Sequence, residues 1–355
     1  MLRDVLIYLS ENNAARKFSM HAPGARAMAR RFVAGETVDD GINAAKALAT
    51  AGFGISLDCL GESVKSREEA SHAGDTYVEL LERIATEMLP DGTPLRDSTN
   101  VSLKLTQMGQ DIRSDHAHDD QSSPSAPWPR PDNWPIIDRG GYDEAFLRAN
   151  LGRVLDVAKR HGIFVRFDME SSLYTQRTLD FFQSLWNAGT NNIGVVLQSY
   201  LTRTAHDVNS ANLQSVRVRI CKGAYKEPEP VAYQEKSRVD SNYVQVMQTL
   251  LSDGNYPGIA THDEAMIQAT KDWAKAKSIP TSAYEFQMLY GVRRDLQNQL
   301  LREGDRVRIY VPFGEAWYAY LMRRMAERPA NLFFIVNAVL IESPFGGLMG
   351  KGKHK

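Results

Sequence analysis

Short runs of Val, Ile, Leu and Phe recur along the chain, separated by longer stretches in which apolar residues return every three or four positions. The short runs lie at 53–57, 101–105, 163–167, 193–197, 216–221, 258–261, 283–286 and 307–311. Continuous apolar runs of this length read as strands covered on both faces, as in a parallel sheet. The helix-period stretches between them include 66–88, 144–161, 176–188, 239–253, 264–276, 292–303 and 315–326. Strands alternating with helices in this way predict an α/β protein of the (β/α)8 kind, a TIM-like barrel; an open doubly wound sheet has the same alternation and stands as the alternative. Three more helical patterns, at 2–18, 22–32 and 38–51, precede the first strand, the last of them stopped by Gly52. The expected organisation is N-terminal helices over 1–51 packed on a barrel of 52–341, followed by a tail of 342–355.

One block, 108–143, breaks the alternation. Its Pro, Asp and Ser content reads as a long surface insertion after the second strand rather than a domain boundary. His116 and His118 sit there among Asp115, Asp119 and Asp120. That pattern fits a metal site, but a solvated loop is the favoured reading, and no metal is expected.

Composition then narrows the class. The chain has 355 residues, 43% of them hydrophobic, enough for a large core, and its formal net charge of −1 gives no electrostatic reason to expect nucleic acid as a partner. Cys59 and Cys221 are the two cysteines, both in apolar strand-like runs, so a reducing cytoplasm is expected and a disulfide framework is not. The opening MLRDVLIYLSENN has too short an apolar core for a signal peptide, and LFFIVNAVLI at 332–341 is too short to span a bilayer. A soluble or peripheral protein is expected.

The stretch 308–331, RIYVPFGEAWYAYLMRRMAERPAN, reads as strand, turn and helix. At about 100° per helical residue, Tyr320, Arg323, Arg324 and Glu327 share one arc of roughly 100°. Two guanidinium groups on one face suit a carboxylate or a phosphate, against which stands a merely solvated basic face. In a (β/α)8 barrel, chemistry collects where strands end. The predicted strands end on Asp58 and Glu62, Lys104, Asp168 and Glu170, Gln198, Arg219 and Lys222, Thr261, His262 and Asp263, Gln287 and Leu289, and Tyr310. Any one of these fits a solvated strand end, but eight together describe a charged mouth and an enzyme. Gly223, after Lys222, allows backbone to approach a ligand closely. No G-x-G-x-x-G joins a strand to a helix, and GLMGKGKH near the end lacks the Ser or Thr and the preceding strand of a phosphate loop.

Seven of these segments, in order, carry a family resemblance: SLDCLGES, VSLKLTQMG, FVRFDMESS, VRICKGAYKEP, IATHD, YEFQMLYGVR and the 308–331 stretch. Together they resemble the strand-end motifs of proline dehydrogenases over roughly 52–331, in the monofunctional bacterial form. The resemblance implies a distorted (β/α)8 barrel that binds FAD, oxidises L-proline to Δ1-pyrroline-5-carboxylate and hands electrons to a membrane quinone. It implies a cytoplasmic protein at the periphery of the inner membrane. Carried over by position, Arg323, Arg324 and Lys104 grip the substrate carboxylate, and Tyr310, Tyr320, Leu289 and Tyr225 pack its ring. Asp168 is an orienting carboxylate beside Lys104 and the flavin. Val196, Gln198, Arg219 and Lys222 match flavin contacts, with backbone contacts from Gly223 and Ala224. Thr261, His262 and Lys236 match the nucleotide tail, Glu327 the ribityl chain, and Glu62 a gate that pairs with Arg323. Lys226 stands where bifunctional members carry Trp, a departure that bears on the local flavin contact.

Two other functions use the same residues. A lyase or aldolase would employ Lys104 or Lys222 as a Schiff-base nucleophile and be colourless, whereas a flavoprotein is yellow. A non-catalytic amino-acid sensor would bind substrate without reducing any dye.

Overall fold

A computed structural model describes residues 29–61, 64–113, 127–135 and 141–327, with side chains given through Met322. The expected helix at 2–18, most of that at 22–32, the tail, His116, His118 and Glu62 lie outside the described residues, as do the side chains of Arg323, Arg324 and Glu327.

Eight parallel strands close into a barrel in sequence order. They are β1 (Gly54–Cys59), β2 (Thr99–Leu103), β3 (Val165–Phe167), β4 (Ile193–Gln198), β5 (Arg217–Cys221), β6 (Gly258–Ala260), β7 (Glu285–Leu289) and β8 (Val307–Phe313). Closure runs through β1 and β8, where Ile55 stands opposite Ile309 and Leu57 opposite Val311. The helices are α1 (Val38–Thr50), α2 (Arg67–Thr86), α3 (Glu144–His161), α4 (Ser172–Asn187), α5 (Thr204–Leu213), α6 (Lys236–Asp253), α7 (Glu264–Ala276), α8 (Arg294–Arg302) and α9 (Trp317–Glu327).

Local chemistry sets the helix limits. Asp143 accepts from the Phe146 N–H to start α3, which ends in Lys159, Arg160 and His161 at a left-handed Gly162 (φ 68°). Thr37 and Asp40 form a reciprocal capping box at the start of α1.

Successive strand residues point to opposite faces. One face carries Ile55, Leu57, Val101, Leu103, Val165, Phe167, Val218, Ile220, Phe286 and Ile309, all buried in one apolar cluster with helix residues such as Leu80, Leu151 and Phe182. The other face is polar and points inward, as Arg219 demonstrates: from β5 it reaches Ser56, Ser102, Asp168 and Gln287 on or beside β1, β2, β3 and β7. The polar letters inside otherwise apolar strands are therefore the barrel's interior.

The barrel departs from the regular pattern at its last unit. The outer wall beside β8 and β1 is covered by α1, with Gly41 against the Phe313 ring. After β8 the chain turns at Gly314 (φ 127°), where a Cβ would come within 2.9 Å of the Leu60 carbonyl. The following helix, α9, packs its Trp317, Tyr318, Tyr320, Leu321 and Met322 with Leu60, Val33 and Ala29. Leu60 lies just past the end of β1, so α9 sits at the end of the barrel where the strands finish.

Two elements differ from the periodicity. The apolar pattern predicts no helix at 204–213, yet α5 is there, and it buries Thr204, Asp207 and Ser210 beside Val208 and Ala211, so its inner face is too polar to show as a stripe. The expected strand at 283–286 is displaced, because 281–283 forms a 3-10 turn and β7 runs over Glu285–Leu289.

Candidate active site

Inside the barrel a chain of hydrogen bonds climbs from its base to its mouth. Arg308 Nε donates to Glu285 Oε1 at 2.7 Å, and Gln287 Nε2 donates to the same oxygen at 2.6 Å. Arg219 Nε then donates to Gln287 Oε1. Above this, Arg219 Nη1 meets Asp168 Oδ1 at 2.8 Å while the Tyr310 hydroxyl donates to Asp168 Oδ2 at 2.7 Å. Each oxygen of Asp168 is thus fixed by a different group. The Arg219 guanidinium also lies 5.2 Å from the Tyr310 ring centre, a cation–π contact. Its remaining donors reach the Ser102 hydroxyl at 3.0 Å and that of Ser56 at 3.4 Å.

Beside this chain, Lys104 Nζ stands 3.4 Å from both oxygens of Asp58, which is 1% exposed. The Tyr77 hydroxyl donates to the Ser102 carbonyl at 2.8 Å and accepts from the Cys59 N–H at 3.2 Å, bracing the end of β1 that carries Asp58. Burial and the charge on Asp58 push the Cys59 thiol up to about 12, so it is an unreactive thiol. Burial, Asp168 and Asp58 likewise hold the Tyr310 phenol well above its ordinary value, so it remains a neutral donor.

A third group lies past β5 and β6. Lys222 Nζ reaches Asp240 Oδ1 at 2.5 Å and Asp263 Oδ2 at 2.8 Å, and Lys236, at the start of α6, pairs with Asp240 as well. The hydrogen bond from Lys222 holds the Asp263 carboxyl below the usual range. Burial opposes the same effect at Asp240, but the hydrogen bonds from Lys222 and Lys236 outweigh it. His262 Nε2 accepts from the Leu289 N–H at 2.9 Å, which fixes that nitrogen as unprotonated. Thr261 Oγ1 accepts from the Asp263 N–H at 3.0 Å.

The structure thus brings Lys104, Asp168, Arg219 and Tyr310 together within the barrel, with Val196 and Gln198 on the neighbouring β4. Lys222, Gly223, Ala224 and Tyr225 follow β5, Thr261 and His262 follow β6, and Leu289 ends β7. Lys236 is the outlying member, largely exposed and joined to the rest through Asp240. Tyr320 is buried on α9, and helical geometry puts Arg323 and Arg324 on its face one turn later.

Several members carry no role that the sequence alone assigns: Ser56, Ser102 and Tyr77, the counter-ion Asp58, and the linking amide Gln287. Their signal is the alternation itself, Ser56 and Asp58 in GISLDC and Asn100, Ser102 and Lys104 in NVSLK, where every second residue is polar.

Two observations describe what the mouth accommodates. Gln198 Oε1 is a buried acceptor with no partner among the described residues, although its Nε2 donates to the Met169 and Glu170 carbonyls at 3.4 and 3.3 Å. An unmet buried acceptor is costly and fits a ligand that brings an N–H or O–H. Gly223 has φ 104°, and a Cβ there would lie 2.3 Å from the Tyr200 ring, so only main chain occupies that edge. Both lysines of the mouth are ion-paired. Their amines are committed to Asp58, Asp240 and Asp263, whereas a Schiff-base nucleophile has to present its amine to a substrate carbonyl.

A closed (β/α)8 barrel with cations and a neutral phenol converging where its strands end defines an enzyme site for a small anionic or zwitterionic substrate. The chain belongs to the proline dehydrogenase family, whose profile matches residues 42–337, and it is an enzyme of proline oxidation and proline catabolism. It is 38% identical over 315 residues to the proline dehydrogenase of Deinococcus radiodurans, covering 88% of this chain and 90% of that one. It is 34% identical over 340 residues to proline dehydrogenase 1 of Bacillus subtilis, covering 96% and 99%. Among solved structures, proline utilization A from Bdellovibrio bacteriovorus inactivated by N-propargylglycine superposes with a TM-score of 0.73 at 25% identity. That match covers all of this chain and 38% of the other, so the chain spans about two fifths of that relative. Among the described residues, no helix is long and apolar enough to cross a membrane.

Proposed function

We propose that this enzyme uses FAD to oxidise L-proline to Δ1-pyrroline-5-carboxylate and passes the electrons to a membrane quinone, working in the cytoplasm at the periphery of the inner membrane. The observation that carries this reading is the Arg219–Asp168–Tyr310 constellation beside the ion-paired Lys104. The residues present suit FAD. The unmet acceptor of Gln198 matches the ring N–H of a flavin, Arg219 and Lys222 supply cations, and Gly223 and Ala224 offer main chain. Val196 would line the ring, Asp168 would stand beside it through Arg219, Thr261, His262 and Lys236 would follow the nucleotide tail, and Glu327 the ribityl chain. When bound, the flavin supplies the acceptor for the hydride that leaves the proline ring carbon next to nitrogen.

The chain's own residues have the remaining tasks. Arg323, Arg324 and Lys104 would fix the proline carboxylate, with Asp58 orienting Lys104 from 3.4 Å. Tyr310, Tyr320, Leu289 and Tyr225 would pack the ring, which sets the approach of the reacting carbon and excludes water. Asp168 fixes the Tyr310 hydroxyl and Arg219 at once, so neither has to reorganise as substrate arrives. The substrate nitrogen must also lose its proton, and no side chain is assigned to take it. The test is chemical: release and identify the bound cofactor, then assay Δ1-pyrroline-5-carboxylate with a soluble quinone as acceptor. FAD and proline-dependent product in step with quinone reduction are expected. A colourless enzyme, or quinone reduction without that product, would contradict the proposal.

A further inference from the structure

The loop after β5 is anchored on one side by main chain. Tyr200 N–H donates to the Lys222 carbonyl at 2.9 Å, Tyr233 N–H to the Tyr200 carbonyl at 2.8 Å, and Thr202 N–H to the Val231 carbonyl at 3.0 Å. On its other side an anchor is the side chain of Glu227, which is 8% exposed and whose main-chain carbonyl also accepts from Gln234 Nε2 at 3.2 Å. One carboxylate oxygen of Glu227 accepts from the Ser172 N–H at 2.8 Å, and the other accepts from the Ser172 hydroxyl. The Tyr200 hydroxyl donates to the first oxygen at 3.4 Å.

Ser172 opens α4, whose own N-cap residue Ser171 makes no side-chain capping bond and whose first turn has no acidic residue. Glu227 is therefore the cap of α4, supplied from a loop 55 positions downstream, at a helix end that favours a carboxylate. Tyr200 completes the brace: its ring lies against the backbone of Gly223 and its hydroxyl against Glu227. Gly223, Ala224 and Tyr225 thus lie between the main-chain pairing at Lys222 and the carboxylate clamp at Glu227.

We propose that Glu227 is a positioning residue for the reaction: by locking the β5 loop to α4, it holds residues 223–225 where cofactor and substrate meet them. This rests on the proposed function, in which Gly223 and Ala224 contact the flavin and Tyr225 the proline ring. A tethered loop needs no further ordering when ligands bind, whereas a loop released at Glu227 loses affinity by having to be ordered. The effect belongs to binding rather than to the chemical step, so it should appear in the flavin Kd and the proline KM more than in kcat at saturation.

The experiment measures FAD binding to flavin-stripped protein, the proline KM and kcat, and the melting temperature for wild type and Glu227→Ala. The expected result is a flavin Kd weaker by about tenfold and a raised KM, measured well below the melting temperature. Glu227→Gln, whose amide oxygen still accepts from the Ser172 N–H, should fall between the two. If Glu227→Ala does not fold, Ser172→Ala combined with Tyr200→Phe decides instead, because it leaves the carboxylate on the Ser172 N–H alone. Weaker flavin binding in that variant supports the proposal. A lowered melting temperature with wild-type flavin Kd and proline KM, in either variant, would reduce Glu227 to a stabilising cap and overturn it. A wild-type protein that takes up no flavin would overturn the proposed function itself and this inference with it.

Discussion

Asp168 binds Arg219 through one oxygen and Tyr310 through the other, and Asp58 holds Lys104, so both carboxylates of the inner mouth are occupied by partners. In the proposed function the substrate carboxylate would take its cations from Lys104 and α9. Replacing Arg323 or Arg324 with Met is expected to lower kcat/KM for proline by about 30- to 1,000-fold, the cost of a desolvated charge-assisted pair of about 2–4 kcal/mol. Flavin content should hold, and steady-state kinetics with wild-type kcat/KM in both variants would refute the assignment. Tyr310 sets a second expectation. Its hydroxyl is already given to Asp168, so a hydroxyl added to the substrate ring would meet a phenol with nothing left to donate, at a cost of about 1–3 kcal/mol. Trans-4-hydroxyproline should be the poorer substrate and Tyr310→Ser should narrow the gap; equal kcat/KM for the two substrates in the unaltered enzyme would contradict this. Asp168, Arg219 and Tyr310 are legible in the sequence because a charged or phenolic residue within or just past an apolar strand interrupts a buried run; Asp168 follows β3, while Arg219 and Tyr310 lie mid-strand on the inward face. Ser56 and Ser102 show only as polar letters in the alternation, because a lone hydroxyl acquires a role only once the register brings a partner 46 to 163 residues away beside it, and Tyr77 gains its role only when α2 packs it against Cys59 and Ser102.

The elements repeat the contrast. Eight strands and most helices can be read from periodicity, since the outer strand face and the inner helix faces are uniformly apolar. Helix α5 cannot, because it buries Asp207 against Arg203 and against the Trp128 indole N–H at 3.0 Å, a polar interior that no hydrophobic stripe announces. Nor can the displacement of α9 to the barrel mouth, which depends on the turn at Gly314 and on α1 taking its place on the wall. The composition of 108–143 marks a surface insertion but hides an anchor within it: Trp128 is 1% exposed, packs on Phe182 of α4 and bonds α5. Trp128→Ala should lower stability by about 3–5 kcal/mol, read by urea unfolding. A loss under about 1 kcal/mol would show that the 127–135 segment is not held by this residue.

Over the whole molecule, the barrel is filled by charge rather than by layers of aliphatic side chains. Arg166, Arg217, Arg219 and Arg308 enter from β3, β5 and β8, and Gly54, Gly194 and Gly258 leave room for neighbouring polar side chains at the same level. Glu285 is the counter-charge near the base. Burial works against its ionisation, but the charge and hydrogen bond of Arg308 prevail and hold its carboxyl at about 2, below an ordinary value of 4.5. A carboxyl lowered in the folded state stabilises above its unfolded value, and that contribution disappears as pH falls from about 4.5 toward 2. Glu285→Gln should therefore be less stable than wild type at neutral pH by about 3–5 kcal/mol, since Arg308 stays buried without its partner. The gap should close as the pH approaches 2, and a constant gap in chemical unfolding across that window would count against Glu285 as the acid-sensitive group. The central claim, that this charged mouth oxidises proline through a bound flavin, is tested most directly by titrating the purified protein with L-proline in the absence of oxygen while recording its visible absorbance. Bleaching of the flavin bands by proline, slowed by about 30-fold or more in Arg323→Met at the same subsaturating proline concentration, is the predicted result. A flavin that stays oxidised in wild-type protein at saturating proline would contradict the account.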